Sequence, residues 1–415
     1  MSTVVVASRS RWRRARTASA LLGPAFVAAV AYVDPGNVAS NVSAGARYGY
    51  LLVWVVVLAN VMAALVQYLS AKLGLVTGRS LPEMVRERAN RPVRLAYWAQ
   101  AELAAMATDL AEVVGGAIAL QLLFGLPPLL GGLITAAVSM VLLVVQNRRG
   151  QQPFERMIIG LLAVISVGFV ASVVLSPPSL SQTVHGLLPR FEGTPSVLLA
   201  AAIIGATVMP HVIYLHSGLT RDRHGHAEPG PRRVVLLRAT RWDVGVAMLI
   251  AGIVNLAMLL LAAHTFGGRD VTTIPGAYDA VRDALGPGAA LLLAVGLLAS
   301  GLASTSVGAS AGAMIMAGLL RRRVPLLVRR IVTLLPALAV LVAGVDTTQA
   351  LIVSQVVLSF AIPLALIPLV RFTGDRALMG GDVNHRLTTA AAWVITTVIS
   401  GLNLLLIYLT FTGRT

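Results

Sequence analysis

Two short segments of the sequence combine metal-ligand side chains with a proline: AYVDP at residues 31–35 and ATVMP at residues 206–210. Each lies inside a long apolar stretch, where a helix would otherwise continue unbroken. Proline has no backbone N–H and clashes with the carbonyl four residues earlier, so each segment frees the carbonyl of its first residue, Ala31 or Ala206. In lipid a freed carbonyl needs a partner, and a bound cation is one such partner.

The side chains around these prolines predict a site for a divalent cation. Asp34 offers a carboxylate, Asn37 an amide oxygen and Met209 a thioether. Oxygen ligands alone suit Mg²⁺, Ca²⁺ or Mn²⁺, whereas a thioether shifts the preference toward softer transition metals. The set therefore favours Mn²⁺ or Fe²⁺, with Cd²⁺, Co²⁺ or Zn²⁺ as competitors. Alone, Met209 would be interpreted as core filler and Pro210 as an ordinary kink.

A second group of ionisable residues lies in the segment WAQAELAAMATDLAEVVGG, residues 98–116. Its acids are Glu102, Asp109 and Glu112, which fall within about 80° of one another on a helix that turns about 100° per residue. Three carboxylates on one face in lipid must be protonated, paired or hydrated. The stripe predicts a proton route, and the alternative is a set of interhelical hydrogen bonds.

Further polar residues lie in other apolar segments. His211 and His216 follow the second proline and are interpreted as a proton relay, because histidine titrates near neutral pH. Arg329 and Arg330 either pair with the acids or belong to a basic cluster at a helix end, and their spacing leaves both open. Gln355 is a metal ligand or an interhelical hydrogen-bonding group, and its spacing favours neither.

The composition indicates what kind of molecule must position these residues. Of the 415 residues 57% are hydrophobic and 12% are charged, and the mean hydropathy is +0.81. A soluble domain is about half apolar and a quarter charged, so the chain is predicted to lie in a lipid bilayer. The absence of cysteine excludes disulfide scaffolds and thiolate metal sites.

Apolar runs of spanning length predict eleven transmembrane helices in an all-α protein. The spans, numbered 1 to 11, cover approximately residues 18–45, 49–74, 94–124, 127–146, 154–176, 196–220, 242–265, 288–319, 328–345, 348–371 and 388–412.

The distribution of charge predicts the orientation in the cell membrane. With alternating sides, 28 of the 33 Lys and Arg residues lie on the side of the N-terminal tail, residues 1–17, and 5 lie on the other. By the positive-inside rule the N-terminus is cytoplasmic and the C-terminus extracytoplasmic. The net charge of +16 is therefore a topology signal, and no nucleic-acid partner is expected. Residues 220–233 are expected to form a flexible cytoplasmic linker.

The two proline segments also indicate an internal repeat. They lie 175 residues apart, and each falls in the first span of a set of five. An odd number of spans forces the second set to enter from the opposite side, which gives an inverted repeat with broken spans 1 and 6. This pattern is typical of secondary transporters with a site between the breaks. The predicted divisions are repeats at 18–185 and 190–372, followed by a loop and span 11 at 373–415.

These features together resemble the NRAMP (natural resistance-associated macrophage protein) divalent-metal transporters. The similarity covers nearly the whole chain and is carried by Asp34-Pro35-Gly36-Asn37, Met209-Pro210-His211, TDLAEVVG at 108–115, ASTSVGASAGAMIMAGLL at 303–320 and SQVVLSFAIPLALIPL at 354–369. Two positions depart from the family pattern, Val212 for a usual Asn and Leu302 for a common Gln, and they bear on gating or proton coupling. Met209 argues against the branches that move Mg²⁺ or Al³⁺.

The resemblance implies a LeuT-type fold and proton-coupled import of Mn²⁺ or Fe²⁺ by alternating access. Helix breaks are implied at Pro35, Gly36 and Pro210. The implied metal ligands are Asp34, Asn37, Met209, the carbonyls of Ala31 and Ala206, and Gln355. The implied proton-pathway residues are Asp34, Glu102, Asp109, Glu112, His211, His216, Arg329 and Arg330.

Other functions remain as alternatives from the residues. A carrier of an organic solute on the same fold would have no reason to place a thioether opposite an acid. A membrane sensor that binds metal without moving it would need a cytoplasmic output domain, and no cytoplasmic segment exceeds a short loop. No nucleophile–base pair or phosphate-binding loop suggests an enzyme. No cofactor is expected, since metal ions and protons are the substrates, and the sequence carries no signal for an oligomeric state.

Overall fold

A computed structural model of the chain describes residues 23–149, 151–266, 273–320 and 325–412. Within these ranges the regular structure is entirely helical, which confirms the all-α prediction. The predicted N-terminal tail, residues 1–17, and the predicted start of span 1 lie outside the described residues. So do Arg269 and Arg414, two of the five cations expected outside the cell.

The helices follow the predicted spans, with short helices between them. In chain order they are α1 Pro24–Ala31, α2 Pro35–Tyr48, α3 Val53–Thr77, α4 Leu81–Arg88, α5 Arg91–Phe124, α6 Pro128–Arg149, α7 Gln151–Leu175, α8 Leu180–His185, α9 Gly193–Thr207, α10 Pro210–His224, α11 Pro231–Thr265, α12 Ile274–Leu285, α13 Pro287–Leu320, α14 Leu326–Val342, α15 Thr347–Thr373, α16 Arg376–Met379 and α17 Arg386–Phe411, with a 3₁₀ turn at Gly380–Asp382.

Spans 1 and 6 are each divided into two half-helices, as predicted. Helix α1 ends at Ala31 and α2 begins at Pro35, while α9 ends at Thr207 and α10 begins at Pro210. Proline suits the first position of a helix because its N–H would be unpaired there and its φ is already helical. Each proline therefore ends one half-helix and starts the next.

Eight helical segments of the described ranges are long and apolar enough to cross a membrane, counting α9 and α10 as one. They correspond to predicted spans 2, 3, 5, 6, 7, 8, 10 and 11. The apolar part of span 4 is shorter, at Pro128–Leu142, and span 9 is the 17-residue α14. Helix α11 begins eleven residues before the predicted span 7, because its first turns carry arginines that an apolar criterion rejects.

The half-helices cross at the centre of the molecule. Helix α1 packs against α10, and α2 packs against α9. Helices α5, α13 and α15 pack around this crossing. The division into two repeats at residues 18–185 and 190–372 stays a prediction; in the structure α8 ends at His185 and α15 ends at Thr373.

The expected flexible linker at residues 220–233 is wrong. Ala227 is buried, and its N–H donates to the carbonyl of Leu75 over 3.1 Å. Arg233 donates to the Ala227 carbonyl over 2.5 Å and pairs with Asp382 over 2.9 Å. The polar composition suggested a free loop, but these contacts fix the segment against the end of α3 and the 3₁₀ turn that contains Asp382.

Candidate metal and proton sites

The first helix break presents a carboxylate oxygen with no hydrogen-bond donor. Asp34 is fully buried and caps α2, where its Oδ1 accepts from the backbone N–H of Asn37 over 2.8 Å and from Asn37 Nδ2 over 2.9 Å. Its Oδ2 is buried and has no hydrogen-bond partner in the described part of the chain. Buried polar atoms are nearly always paired, so an unpaired carboxylate oxygen indicates a place for a cation.

Asn37 joins the two breaks. Its Nδ2 donates to the carbonyl of Ala206 over 2.9 Å, and its Oδ1 accepts from Thr207 over 3.3 Å. The Ala206 carbonyl is available because Pro210, four residues later, has no N–H to donate. The two segments singled out in the sequence are therefore in direct contact, and a cation bound through Asn37 Oδ1 would replace the hydrogen bond from Thr207.

The carbonyls at the first break differ in whether they are paired. The carbonyl of Tyr32 accepts from Asn255 Nδ2 over 2.9 Å, and that of Val33 accepts from Ser300 over 2.5 Å. No hydrogen-bond donor in the described ranges reaches the carbonyl of Ala31. The carbonyl of Ala31, which Pro35 was predicted to free, is therefore without a donor in the described ranges. The next two carbonyls are paired with Asn255 and Ser300, which the sequence analysis did not single out.

Gln355 lies against the first break. It is fully buried in α15, its Nε2 donates to Ser354 over 3.3 Å, and its Oε1 has no hydrogen-bond partner among the described residues. A Cβ at Gly36 would overlap the Gln355 amide, and one at Gly205 would overlap the Gln355 backbone. Because these two glycines have no side chain, Gln355 can lie close to the crossing of the half-helices, where its Oε1 is a second oxygen without a partner among the described residues.

Met209 completes the donor set at the second break. It is fully buried and occupies the position before α10, where its side chain makes no capping hydrogen bond. In the described ranges no group of three His, Cys, Asp or Glu residues could hold a metal. The donors at the crossing are instead one carboxylate, two amides, two carbonyls and one thioether, a set that suits a transition metal of intermediate softness.

The acidic stripe of α5 is paired with arginines of α14. Arg329 binds Glu102 through two hydrogen bonds of 3.2 and 3.0 Å. Arg330 forms an ion pair with Asp109, and its guanidinium lies 3.8 Å from Glu112 Oε2. The sequence left two interpretations of Arg329 and Arg330 open, pairing with the acids or a basic cluster at a helix end, and the structure shows the pairing.

The stripe has three carboxylates, and two arginines face it. Each of these arginines pairs with one of the other two acids, so among the described residues Glu112 has no arginine of its own. Neither carboxylate oxygen of Glu112 has a hydrogen-bond partner in the described chain. Gly308 of α13 lies against this carboxylate, and Gly312 leaves the space that the Arg329 guanidinium fills. Among the described residues, Glu112 is thus the acid of the stripe that has no hydrogen-bonded counterion.

The two histidines of α10 belong to different hydrogen-bond networks. His211 Nδ1 lies 3.3 Å from the hydroxyl of Thr108, next to the acidic stripe. His216 Nδ1 lies 2.8 Å from Gln67 Oε1, and Gln67 Nε2 donates to the hydroxyl of Tyr32. The structure therefore places only His211 beside the stripe and connects His216 to the first break.

Some residues around the crossing were missed by the sequence analysis. A polar side chain inside an apolar span was the signal that singled out Gln355, and the same signal marks Gln67 and Asn255. Serines and threonines such as Ser300 and Thr207 carry a weaker signal, because their hydroxyls pair readily with the carbonyl one turn earlier.

Comparison with known proteins gives one family along the chain. The family profile described as natural resistance-associated macrophage protein-like matches residues 25–409. The chain is 66% identical over 399 residues to the divalent metal cation transporter MntH of Mycobacterium tuberculosis, covering 96% of this chain and 93% of that protein. It is 48% identical to the MntH of Deinococcus radiodurans, covering 92% of this chain and 88% of that one.

Solved structures show the same architecture. The Eremococcus coleocola manganese transporter is 32% identical, with a TM-score of 0.83, over 94% of this chain and 86% of that one. Mhp1, a nucleobase-cation-symport-1 family transporter, is 15% identical with a TM-score of 0.60 and supports the fold alone. The LeuT-type membrane fold predicted from the sequence is confirmed.

Proposed function

Because this chain belongs to the natural resistance-associated macrophage protein family, we propose that it is a proton-coupled secondary transporter that imports divalent transition-metal ions. Mn²⁺ and Fe²⁺ are the main substrates in this proposal, and Cd²⁺, Co²⁺ and Zn²⁺ compete. The names of the mycobacterial and Eremococcus relatives, a divalent metal cation transporter and a manganese transporter, support the metal class.

One observation carries the proposal: the two helix breaks meet and bring unpaired oxygens together. Asn37 bridges to Ala206 over 2.9 Å, and the unpaired atoms Asp34 Oδ2 and Gln355 Oε1 belong to the same crossing. A divalent cation at this place would satisfy these atoms and offset the buried charge of Asp34. The thioether of Met209 adds the soft ligand that favours Mn²⁺ or Fe²⁺ over Mg²⁺.

Burial of the site supports alternating access. Asp34, Asn37, Met209 and Gln355 are each 0% exposed, so a cation reaches them only when surrounding helices move. The breaks provide joints for this motion, because a half-helix that begins at Pro35 or Pro210 can tilt without breaking hydrogen bonds inside the other half. Asn37 would change its partners as the two halves separate.

The acidic stripe supports proton coupling. A cation that binds Asp34 displaces any proton on that carboxylate, and Glu112 is the nearby acid that no cation of the described residues hydrogen-bonds. His211, the Asp109–Arg330 pair and the Glu102–Arg329 pair continue this group of ionisable residues along α5 and α14. We assign the proton a path along α5, separate from the motion of the half-helices.

The orientation follows from the charge distribution. The protein is a multi-pass protein of the cell membrane, and in this proposal its N-terminus is cytoplasmic and its C-terminus extracytoplasmic. The inward proton gradient then drives metal import. The metal and the proton are substrates, so no cofactor enters the proposal.

The test is a flux assay in proteoliposomes with an internal pH dye. Wild type should take up Mn²⁺ and acidify the lumen, and Asp34→Ala should do neither. Glu112→Gln should bind Mn²⁺ normally but move fewer protons per metal ion. Asp279→Ala, which removes an exposed acid paired with Arg282, is the matched control and should transport like wild type.

Other outcomes would decide between the alternatives. Uptake without acidification would remove proton coupling and direct attention to Val212 and Leu302. Binding of Mn²⁺ without flux by folded protein would indicate a sensor. Neither binding nor flux of Mn²⁺, Fe²⁺ or Cd²⁺ would overturn the metal site and leave the carrier of an organic solute.

A further inference from the structure

Helices α3 and α11 lie side by side, and a long groove follows their outer surface. One part of the groove encloses about 350 Å³ and is lined by apolar residues such as Val57, Val61 and Leu249. A second part encloses about 440 Å³ and is lined by polar and basic residues, among them Arg238 and Arg241. Neither part belongs to the metal site or to the acidic stripe.

The residues that line the two parts follow one another along both helices. On α3, Val56, Asn60 and Ala64 line the apolar part, and Tyr68 and Lys72 line the basic part. Consecutive members of this set are four residues apart, so each is a neighbour of the next on the surface of α3, and the row turns gradually around the helix. On α11 the lining residues likewise run without interruption from the apolar part to the basic part: Leu256, Gly252, Leu249, Gly245, Arg241 and Arg238.

Two basic side chains of the basic part are held in place by neutral partners, which do not cancel their charge. The Arg241 guanidinium lies 5.3 Å from the centre of the Tyr68 ring and donates to its hydroxyl over 3.3 Å. Lys72 is nearly buried and donates to Asn384 over 2.9 Å. In the described part of the chain, neither these two residues nor Arg238 forms an ion pair with a carboxylate.

The acid that lines the basic part is already neutralised. Asp382 pairs with Arg233 over 2.9 Å. The lining of this part therefore carries an excess of positive charge from Lys72, Arg238 and Arg241, which suits an anionic group.

The apolar part faces the surroundings of the protein. Val61 and Leu249 on its edges are 64% and 63% exposed, as expected for residues that contact lipid tails. A Cβ at Gly245 would meet no atom within 4 Å, so this glycine leaves open space. Trp242, next to Arg241, is 68% exposed, and such tryptophans lie at the level of lipid head groups.

We propose that this groove binds an anionic phospholipid of the cytoplasmic leaflet. The phosphate lies at Lys72, Arg238 and Arg241, and an acyl chain follows the apolar part. From Tyr68 to Val56 helix α3 rises about 18 Å at roughly 1.5 Å per residue, which is comparable to the ~15 Å hydrocarbon depth of one leaflet. The length of the groove therefore suits the depth of one leaflet, its basic part suits a phosphate group, and its apolar part suits an acyl chain.

Native mass spectrometry of the delipidated full chain tests this, with phosphatidylglycerol and phosphatidylcholine of identical acyl chains. Wild type should bind phosphatidylglycerol more tightly. Arg238→Gln with Arg241→Gln should weaken that binding roughly 30-fold, because each cation near an anionic head group contributes about a factor of five. The matched control, Arg156→Gln with Arg376→Gln, removes two exposed cations outside the groove and should change binding less than twofold.

A second variant tests the apolar part alone. Gly245→Leu places a side chain in this space, where an added Cβ meets no atom within 4 Å, and should weaken binding of both lipids, whereas Gly401→Leu, at a glycine whose added Cβ is equally free, should not. Equal losses in the two double arginine variants would overturn the lipid site in favour of general surface charge. Displacement of phosphatidylglycerol by equimolar inorganic phosphate would overturn it in favour of a simple anion site.

Discussion

Asp34 at the first helix break and Asp109 on α5 are both buried carboxylates inside membrane helices, yet their surroundings differ. Asp34 accepts hydrogen bonds from the neutral Asn37, and its second oxygen is unpaired within the described chain. Asp109 forms an ion pair with Arg330, a few residues from a second acid–arginine pair. Among the described residues, one region contains a buried carboxylate without a cationic partner, and the other contains acids together with their counterions.

This difference separates two tasks. Burying an unpaired charge is costly, so a carboxylate without a partner in the fold must take up a proton or a cation from outside. At the break a metal ion can arrive and leave, because the ligands are one acid and neutral donors. Along α5 the arginines are permanent, and only a proton on the third acid, Glu112, changes the charge.

The largest expected effect comes from a substitution that breaks an acid–arginine pair between α5 and α14. Arg330→Met leaves Asp109 and Glu112 together without their shared cation, and removing one partner of a buried pair costs about 3–5 kcal/mol. We expect this loss in the free energy of unfolding, measured with denaturant in detergent.

The control for this loss restores neutrality. Arg330→Met combined with Asp109→Asn should recover most of the stability, since the remaining acid can hold a proton. A double variant as unstable as the single one would show that Arg330 acts through packing and not through charge.

The next largest effect is expected from a substitution that removes the carboxylate of Asp34. Asp34→Asn keeps a residue that caps helices well, so the protein should fold with unchanged or higher thermal stability. The metal loses its charged ligand, and we expect Mn²⁺ binding to weaken by about 100-fold, or about 2.7 kcal/mol. Calorimetric titration measures this, and near-normal affinity in the variant would move the metal site away from the break.

A smaller effect concerns selectivity at the second break. Met209→Leu removes the soft donor and retains the side-chain volume, so Cd²⁺ affinity should fall about tenfold relative to Ca²⁺. Met258→Leu makes the same change at a buried position of α11 and should leave the ratio unchanged. A parallel loss of Cd²⁺ and Ca²⁺ affinity would mean that Met209 shapes the site without ligating the metal.

The breaks could be predicted from the sequence because they depend on local chemistry. A proline lacks its N–H in any environment, and a new half-helix begins at Pro35 and at Pro210. Pro363 and Pro368 lie inside the continuous α15, so a proline alone does not break a helix, and the residues beside each break contribute to it. The acids of α5 share a face for the same local reason. Their pairing with Arg329 and Arg330 could not be predicted, because more than 200 residues separate the partners.

Tertiary packing also explains what the sequence analysis missed. Asn255 and Ser300 pair with the carbonyls of Tyr32 and Val33 only because α11 and α13 pack beside the break. Gly312 makes room for the Arg329 guanidinium, a role that no local pattern shows. Residues 220–233 have the composition of a free loop, and only their distant partners keep them packed.

The smallest effect concerns an acid outside the membrane spans, where water can replace either partner. Glu83 of α4 accepts from the N–H and hydroxyl of Ser80 over 2.8 and 2.9 Å and pairs with Arg221. Burial raises the pKa of Glu83, but these hydrogen bonds and the Arg221 charge outweigh it and hold the pKa below the ordinary 4.5. Its stabilisation is therefore present above pH 4.5 and is lost as the pH falls below that value.

Glu83→Gln should lower stability near neutral pH by about 0.5 kcal/mol, since solvent screens a partly exposed ion pair. The difference in melting temperature from wild type should disappear as the pH falls below 4.5. Glu87→Gln on the same helix removes an exposed pair with Arg79 and controls for the loss of one charge. A difference that persists in acid would show that Glu83 stabilises α4 by shape, and the contrast between exchangeable and permanent counterions would then apply only inside the membrane.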